Sequence, residues 1–383
     1  MPIFYFSFES MTNLKLHPNF AEAVLALLVI LSAFAVWLPF LLNLNSIAGI
    51  QLEETGRQVL DRYLDGPLFV VVSKTFYSPE SGLYPLFDLP AEYFASHFPL
   101  YPLLIRLFSF MGSFNSMLLI TVLTSIGAVL AFYFLLRDFN LSKKPFLLAV
   151  FFIFFPFRWL LYHSVGANEA LFVFLSLSSF YFFRKRDFAK AGVVGALATL
   201  SRPMGILLFP AFVVHLYFKN RAVLNSLVWT PVLLIPLSLC LLVLFFTTNF
   251  SVFAPFISVN TFYFQGFLSG VTAYAGTVGG EFVALLLLFY SLGTLRLFER
   301  KHYDFFAYSL LYLLPFLFFS HNDISRYLIP IAPFALFIGF SELWESRYAK
   351  YALPLAALAG IFYAWTALPT NLISKSIYLS IFS

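Results

Sequence analysis

Apolar runs fill most of the chain, and short polar breaks divide them. A helix needs about 20 apolar residues to cross a bilayer core. Runs of that order predict membrane spans over roughly 20–43, 103–136 (core at 115–136), 146–162, 168–183, 191–201 and 204–218. Further spans follow over roughly 223–246, 281–298, 304–319, 327–345 and 351–369. The pattern is that of an all-α polytopic membrane protein with about eleven passages, forming a single domain over 1–383 with no repeat of clear period. Two loops lie outside the spans, at 44–98 and 247–280. The first is the only long polar insert, and it carries Glu53, Glu54, Asp61, Asp65, Lys74, Glu80, Asp88, Glu92 and His97.

Inside that loop Leu52, Gly56, Val59, Leu60 and Tyr63 recur at helical spacing, opposite Glu53, Glu54, Arg57, Asp61 and Arg62. This predicts a short amphipathic helix lying at the membrane interface, with Asp65 at its end. Beyond it, Pro79, Pro85, Pro90, Pro99 and Pro102 predict a shaped, largely irregular loop. A second local signal lies at 191–218, which is too short for two full spans. Ser201-Arg202-Pro203 sits near its middle, where proline breaks a helix. Two short helices meeting at Arg202 are expected there, because broken backbone is tolerated at membrane depth where it lines a cavity.

Composition narrows the class. The chain is 61% hydrophobic and 11% charged, against about a quarter charged for a soluble domain. Most of its solvent is therefore lipid. The 53 phenylalanines are first of all lipid-facing filler and interfacial anchors. The net charge of +5 reflects basic loops rather than affinity for nucleic acid. Arg137 with Lys143 and Lys144, Arg184-Lys185-Arg186 with Lys190, Lys219 with Arg221, Arg296 with Arg300 and Lys301, and Arg347 with Lys350 all fall on one side of the predicted topology. The positive-inside rule makes that side, with the N-terminus, cytoplasmic. The 44–98 and 247–280 loops then face the other side of a cell or ER membrane. The run from Phe20 to Leu42 is too long for a secretory h-region and reads as the first span. The single Cys240 excludes an intramolecular disulfide and a cysteine-based metal cluster.

Ionisable side chains at span mouths are costly, which makes them functional candidates. On the non-cytoplasmic side these are Arg106, Arg158, His163, Asn168-Glu169, Arg202, His321, Asp323 and Arg326. Snorkelling to the interface also accounts for Arg106 and Arg158, and complementing a helix N-terminus also accounts for Glu169. Arg202, beside a proline between two apolar runs, fits such readings least. Acids suit a general base, and arginine's planar fork suits phosphate. No P-loop, Gly-x-Ser-x-Gly elbow or metal-ligand cluster is present in the sequence, so a divalent cation has no ligand set to support it.

Four elements resemble a known family. They are Asp65-Gly66 with Phe69 and Phe76-Tyr77 leading to Phe98-Pro99-Leu100-Tyr101-Pro102; Asn168-Glu169-Ala170-Leu171-Phe172; Ala198-Thr199-Leu200-Ser201-Arg202-Pro203-Met204-Gly205; and Ser325-Arg326-Tyr327-Leu328 with Pro330. In this order they resemble the GPI mannosyltransferase II (PIG-V-like) family of the GT-C glycosyltransferases. Leu64, Phe69, Asn168 and Ala170 stand where that family usually has Trp, Tyr, Thr and Ser. The resemblance implies a GT-C-like bundle with a long first non-cytoplasmic loop. It also implies inverting transfer of mannose from a polyprenyl (dolichyl) phosphate donor to a lipid-anchored or cell-surface glycan acceptor. Asp65 is then the catalytic base. Asn168, Glu169, Arg202, Arg326, Tyr327, His97 and Tyr101 are then the substrate-binding set, with no metal and no cofactor. The alternative from another class is a transporter or flippase of a lipid-linked sugar, which also needs intramembrane arginines. The single broken segment and the one-sided loop fit it less well.

Overall fold

The computed structural model describes residues 18–63, 65–78, 80–87, 89, 91–250, 278–317 and 323–382. Most of the expected 247–280 loop, together with Asp88 and His321, lies outside them. The described chain is mainly helical, with almost no strand. A two-residue hairpin pairs Ser46–Ile47 with Ile50–Gln51, turning through positive φ at Ala48 and Gly49 as a tight hairpin requires.

Five helical stretches are long and apolar enough to cross a membrane: Phe20–Leu41, Ser113–Asp138, Thr230–Thr248, Glu281–Glu299 and Ala349–Thr370. Several turn large apolar side chains outward, such as Leu27, Leu31 and Phe34 on the first and Leu241, Leu244 and Phe245 on the third. Such faces are stable only against an apolar surrounding.

Between these lie shorter helices. Glu169–Arg184 is central: it packs along Ser113–Asp138 on one side and Phe188–Ser201 on the other. The chain reverses after Arg184 and runs back along Phe188–Ser201. It leaves the helix at Arg202, in extended backbone (φ −150°, ψ 141°), passes a 3₁₀ turn at Pro203–Leu207, and goes out again along Leu208–Lys219. The expected two short helices meeting at Arg202 are therefore present. Gly205 permits the reversal, because a Cβ there would lie 2.5 Å from the Thr199 amide nitrogen.

Three expectations are corrected. The segment after Asp65 is not mainly irregular: Gly66–Thr75 is a ten-residue helix, with 3₁₀ turns at Tyr84–Phe87 and Ala91–Ser96 and a helix at Leu100–Leu107. Proline in the first turn of Gly66–Thr75 lacks only an N–H that no helix would use there. The interfacial helix shrinks to Gln58–Arg62, and its polar face is inside. Asp61 accepts from the Tyr378 hydroxyl at 2.9 Å, and Arg62 donates to Glu54 at 2.5 Å and to the Ile373 carbonyl. The predicted span 327–345 is no continuous helix but a chain of short turns, with a buried π-helical stretch at Pro333–Ile338. Pro330 and Pro333 interrupt the regular bonding there.

Candidate functional site

Asp65 occupies the N-cap position of Gly66–Thr75 but makes no side-chain capping bond, so its carboxylate is available to other partners. Gly66 lets this turn lie close to the one preceding Glu169, since a Cβ would sit 3.0 Å from the Gly166 carbonyl oxygen. Glu169 opens the central helix and is fully buried. Arg326 comes from the one-turn helix Ile324–Tyr327, and Arg202 from the break described above.

These four side chains meet. Arg326 Nη2 donates to Asp65 Oδ2 at 2.7 Å, and its Nε donates to Glu169 Oε1 at 2.5 Å. Arg202 Nη1 donates to the same Glu169 Oε1 at 2.8 Å. Two arginines and two carboxylates thus balance in charge, as buried ions must. Exposure is graded across the cluster: the Glu169 side chain is 0% exposed and that of Asp65 28%. Asp65 therefore forms the accessible edge. The Arg326 guanidinium also lies over the Tyr162 ring, 4.7 Å from its centroid, and Arg202 lies 6.0 Å from the centroids of Phe172 and Tyr327. Among the described residues, Glu169 Oε2 and Ser201 Oγ are buried without a hydrogen-bond partner.

Burial raises the Asp65 carboxyl, but the charge and hydrogen bond of Arg326, with the charge of Arg202, outweigh it and hold the group below the ordinary carboxylate value. It is therefore ionised at neutral pH. Burial pushes the His97 imidazole down against the opposing Asp65 charge, so His97 is neutral there.

The other expected residues lie around this centre. Asn168 Nδ2 donates to the Ser201 carbonyl at 3.0 Å, tying the start of the central helix to the break that carries Arg202. His97 is buried edge-on to Phe69. Tyr101 turns its hydroxyl to Thr121 Oγ1 at 2.7 Å and to the Met117 carbonyl, which spends it on packing against Ser113–Asp138. Arg106 is exposed, over the Phe76 ring. Arg158 pairs with Asp323 at 3.1 Å rather than joining the cluster. Tyr162 did not stand out from sequence, because it ends an apolar run like many other aromatics. No group of three metal-ligating side chains occurs among the described residues. No family model matches the chain, and no curated protein does either.

Proposed function

We propose that the protein is an integral-membrane GT-C-type glycosyltransferase that moves a sugar, mannose by family resemblance, from a polyprenyl phosphate to a lipid-anchored or glycan acceptor. The observation that carries this reading is the meeting of Asp65, Glu169, Arg202 and Arg326, brought from four distant parts of the chain to one cluster with Asp65 at its open edge.

In this reaction the Asp65 carboxylate accepts the proton of the acceptor hydroxyl as that oxygen attacks the anomeric carbon. The bond from that carbon to the phosphate oxygen breaks, and the polyprenyl phosphate leaves with the electron pair. Attack from the face opposite the leaving group inverts the centre. Arg326 holds one Asp65 oxygen and leaves the other for the hydroxyl, so it positions the base. Arg202 has a single carboxylate partner and is the better placed cation for the departing phosphate. Glu169, fully buried, fixes both arginines.

The test is sugar transfer from a short-chain polyprenyl phosphate mannose by the purified full-length protein. Asp65→Asn keeps the shape and removes the proton acceptor, and the expected loss is about 10²–10⁴-fold in rate. Arg202→Gln is expected to raise KM for the donor and lower kcat together. Transfer by Asp65→Asn at the wild-type rate overturns the assignment. Movement of the lipid-linked sugar across vesicles without transfer establishes the transporter instead.

A further inference from the structure

The central helix has a second charged end. At Arg184, fifteen residues and so about 22 Å from Glu169, a cavity of about 350 Å³ is lined by Arg184, Arg186, His215, Lys219, Lys301 and His302. Of the acids beside it, Asp187 lies between the lining residues Arg186 and Phe188 and pairs with Lys190, and Asp304 is already neutralised. Arg184 donates to it through two bonds of 2.7 Å, and His215 Nδ1 stands 3.3 Å away. Arg186, Lys219 and Lys301 make no ion pair among the described residues.

Cations gather at helix C-termini for a structural reason, and four helices end here: Ser113–Asp138, whose C-cap Phe139 lines the cavity, Glu169–Arg184, Leu208–Lys219 and Val278–Glu299. Each end carries about half a negative charge, or about 2 in all. Three unpaired cations exceed that. The backbone sharpens the point. Arg186 and Lys301 both have φ of 61°. They close their helices through bonds from Asp187 to Phe182 and from His302 to Leu297. This left-handed position favours glycine or asparagine. The matching turn after Ser113–Asp138 does use Asn140, at φ 51°. Two long cations thus occupy positions their backbone disfavours, and both line one cavity. His302 adds a neutral donor: burial holds its imidazole down to about 4, the Arg184 charge adding to the effect.

We infer that this cavity binds a phosphate-bearing anion, supplied as the headgroup of an anionic lipid or as a free phosphate compound. The site is separate from the Asp65 cluster and stands whether or not the transfer reading holds.

Two arms test it on the full-length protein. In the first, nanodiscs of phosphatidylcholine with and without phosphatidylglycerol are compared by native mass spectrometry for retained anionic lipid. In the second, inorganic phosphate and pyrophosphate are titrated in neutral detergent with thermal unfolding as the readout. The variant is Arg186→Gly with Lys301→Gly, which suits the left-handed backbone; it should unfold no earlier than wild type without anion. Lys143→Gln, an exposed cation that does not line the cavity, is the control. The expected result is at least tenfold weaker retention or affinity in the glycine variant and none lost in the control. A response confined to the first arm identifies a lipid headgroup, and one in the second a free phosphate. The inference is overturned if neither arm responds in wild type, if the glycine variant binds as wild type does, or if the control loses as much.

Discussion

Arg326 holds two carboxylates with one guanidinium, and the geometry of the fork makes this possible: Nε reaches Glu169 while Nη2 reaches Asp65. A lysine offers a point charge and cannot keep both bonds in one plane. The arrangement sets the protonation of the proposed base. Asp65 lies below its unfolded value, so its pairing contributes stability fully above the unfolded value, near 4, and loses it as pH falls through the folded one. Activity that needs the carboxylate should then persist to below the ordinary carboxylate range. In Arg326→Gln the largest favourable charge disappears while burial, which raises the carboxyl, remains. The acid limb of the kcat/KM profile is expected to move upward in pH in that variant, and an unmoved limb would show that another group titrates. Glu169→Gln removes the one acid between two buried arginines. A loss of about 3–5 kcal/mol is expected for breaking such a pair, read as a lower Tm or a lower denaturant midpoint.

At the scale of elements, the Arg202 break depends on backbone approach. An alanine at Gly205 would press against the Thr199 backbone, which cannot rotate away as a side chain end can. Gly205→Ala is expected to cost about 1–3 kcal/mol and to lower transfer by shifting Arg202. Gly82→Ala, where nothing lies within 4 Å of the added carbon, should leave both unchanged. Equal behaviour of the two variants would remove the strain argument. This break was legible in sequence because Ser201-Arg202-Pro203 interrupts an apolar run with a charge and a proline. Glu169 and Arg326 were legible for a similar reason: charge at the mouth of an apolar run is costly enough to stand out. Their mutual contacts were not, since no spacing in the chain relates position 65 to 326. Burial of Asp61 and Arg62 was hidden for the same reason, as their partners Tyr378 and the Ile373 carbonyl are more than 300 residues away. The 327–345 stretch misleads because apolarity marks depth in the fold: Pro333–Ile338 is buried throughout without forming a regular α-helix.

For the whole molecule, the zigzag of Glu169–Arg184, Phe188–Ser201 and Leu208–Lys219 creates two unlike ends. One gathers Asp65, Glu169, Arg202 and Arg326, balanced in charge. The other gathers Arg184, Arg186, Lys219 and Lys301, with cations in excess. The helices between are short: sixteen residues of Glu169–Arg184 span about 24 Å, against a hydrocarbon core of about 30 Å. They do not fill the bilayer alone, and the proposed transfer expects the Asp65 cluster near the depth of a lipid phosphate. A donor whose phosphate stays at the headgroup level needs a site at that depth. The positive-inside rule predicts that the cation-rich end is the cytoplasmic one. Single cysteines at Ser81 and Lys143 test this in a Cys240→Ser background, since Cys240 is itself exposed. With a membrane-impermeant maleimide on intact cells or sealed right-side-out vesicles, Ser81→Cys should label at once if the host membrane is the plasma membrane. Lys143→Cys should label only after permeabilisation. For an ER host, sealed microsomes reverse the two results. Labelling of both from one side would break the two-ended topology, and with it the placement of the cluster opposite the basic cavity across the membrane.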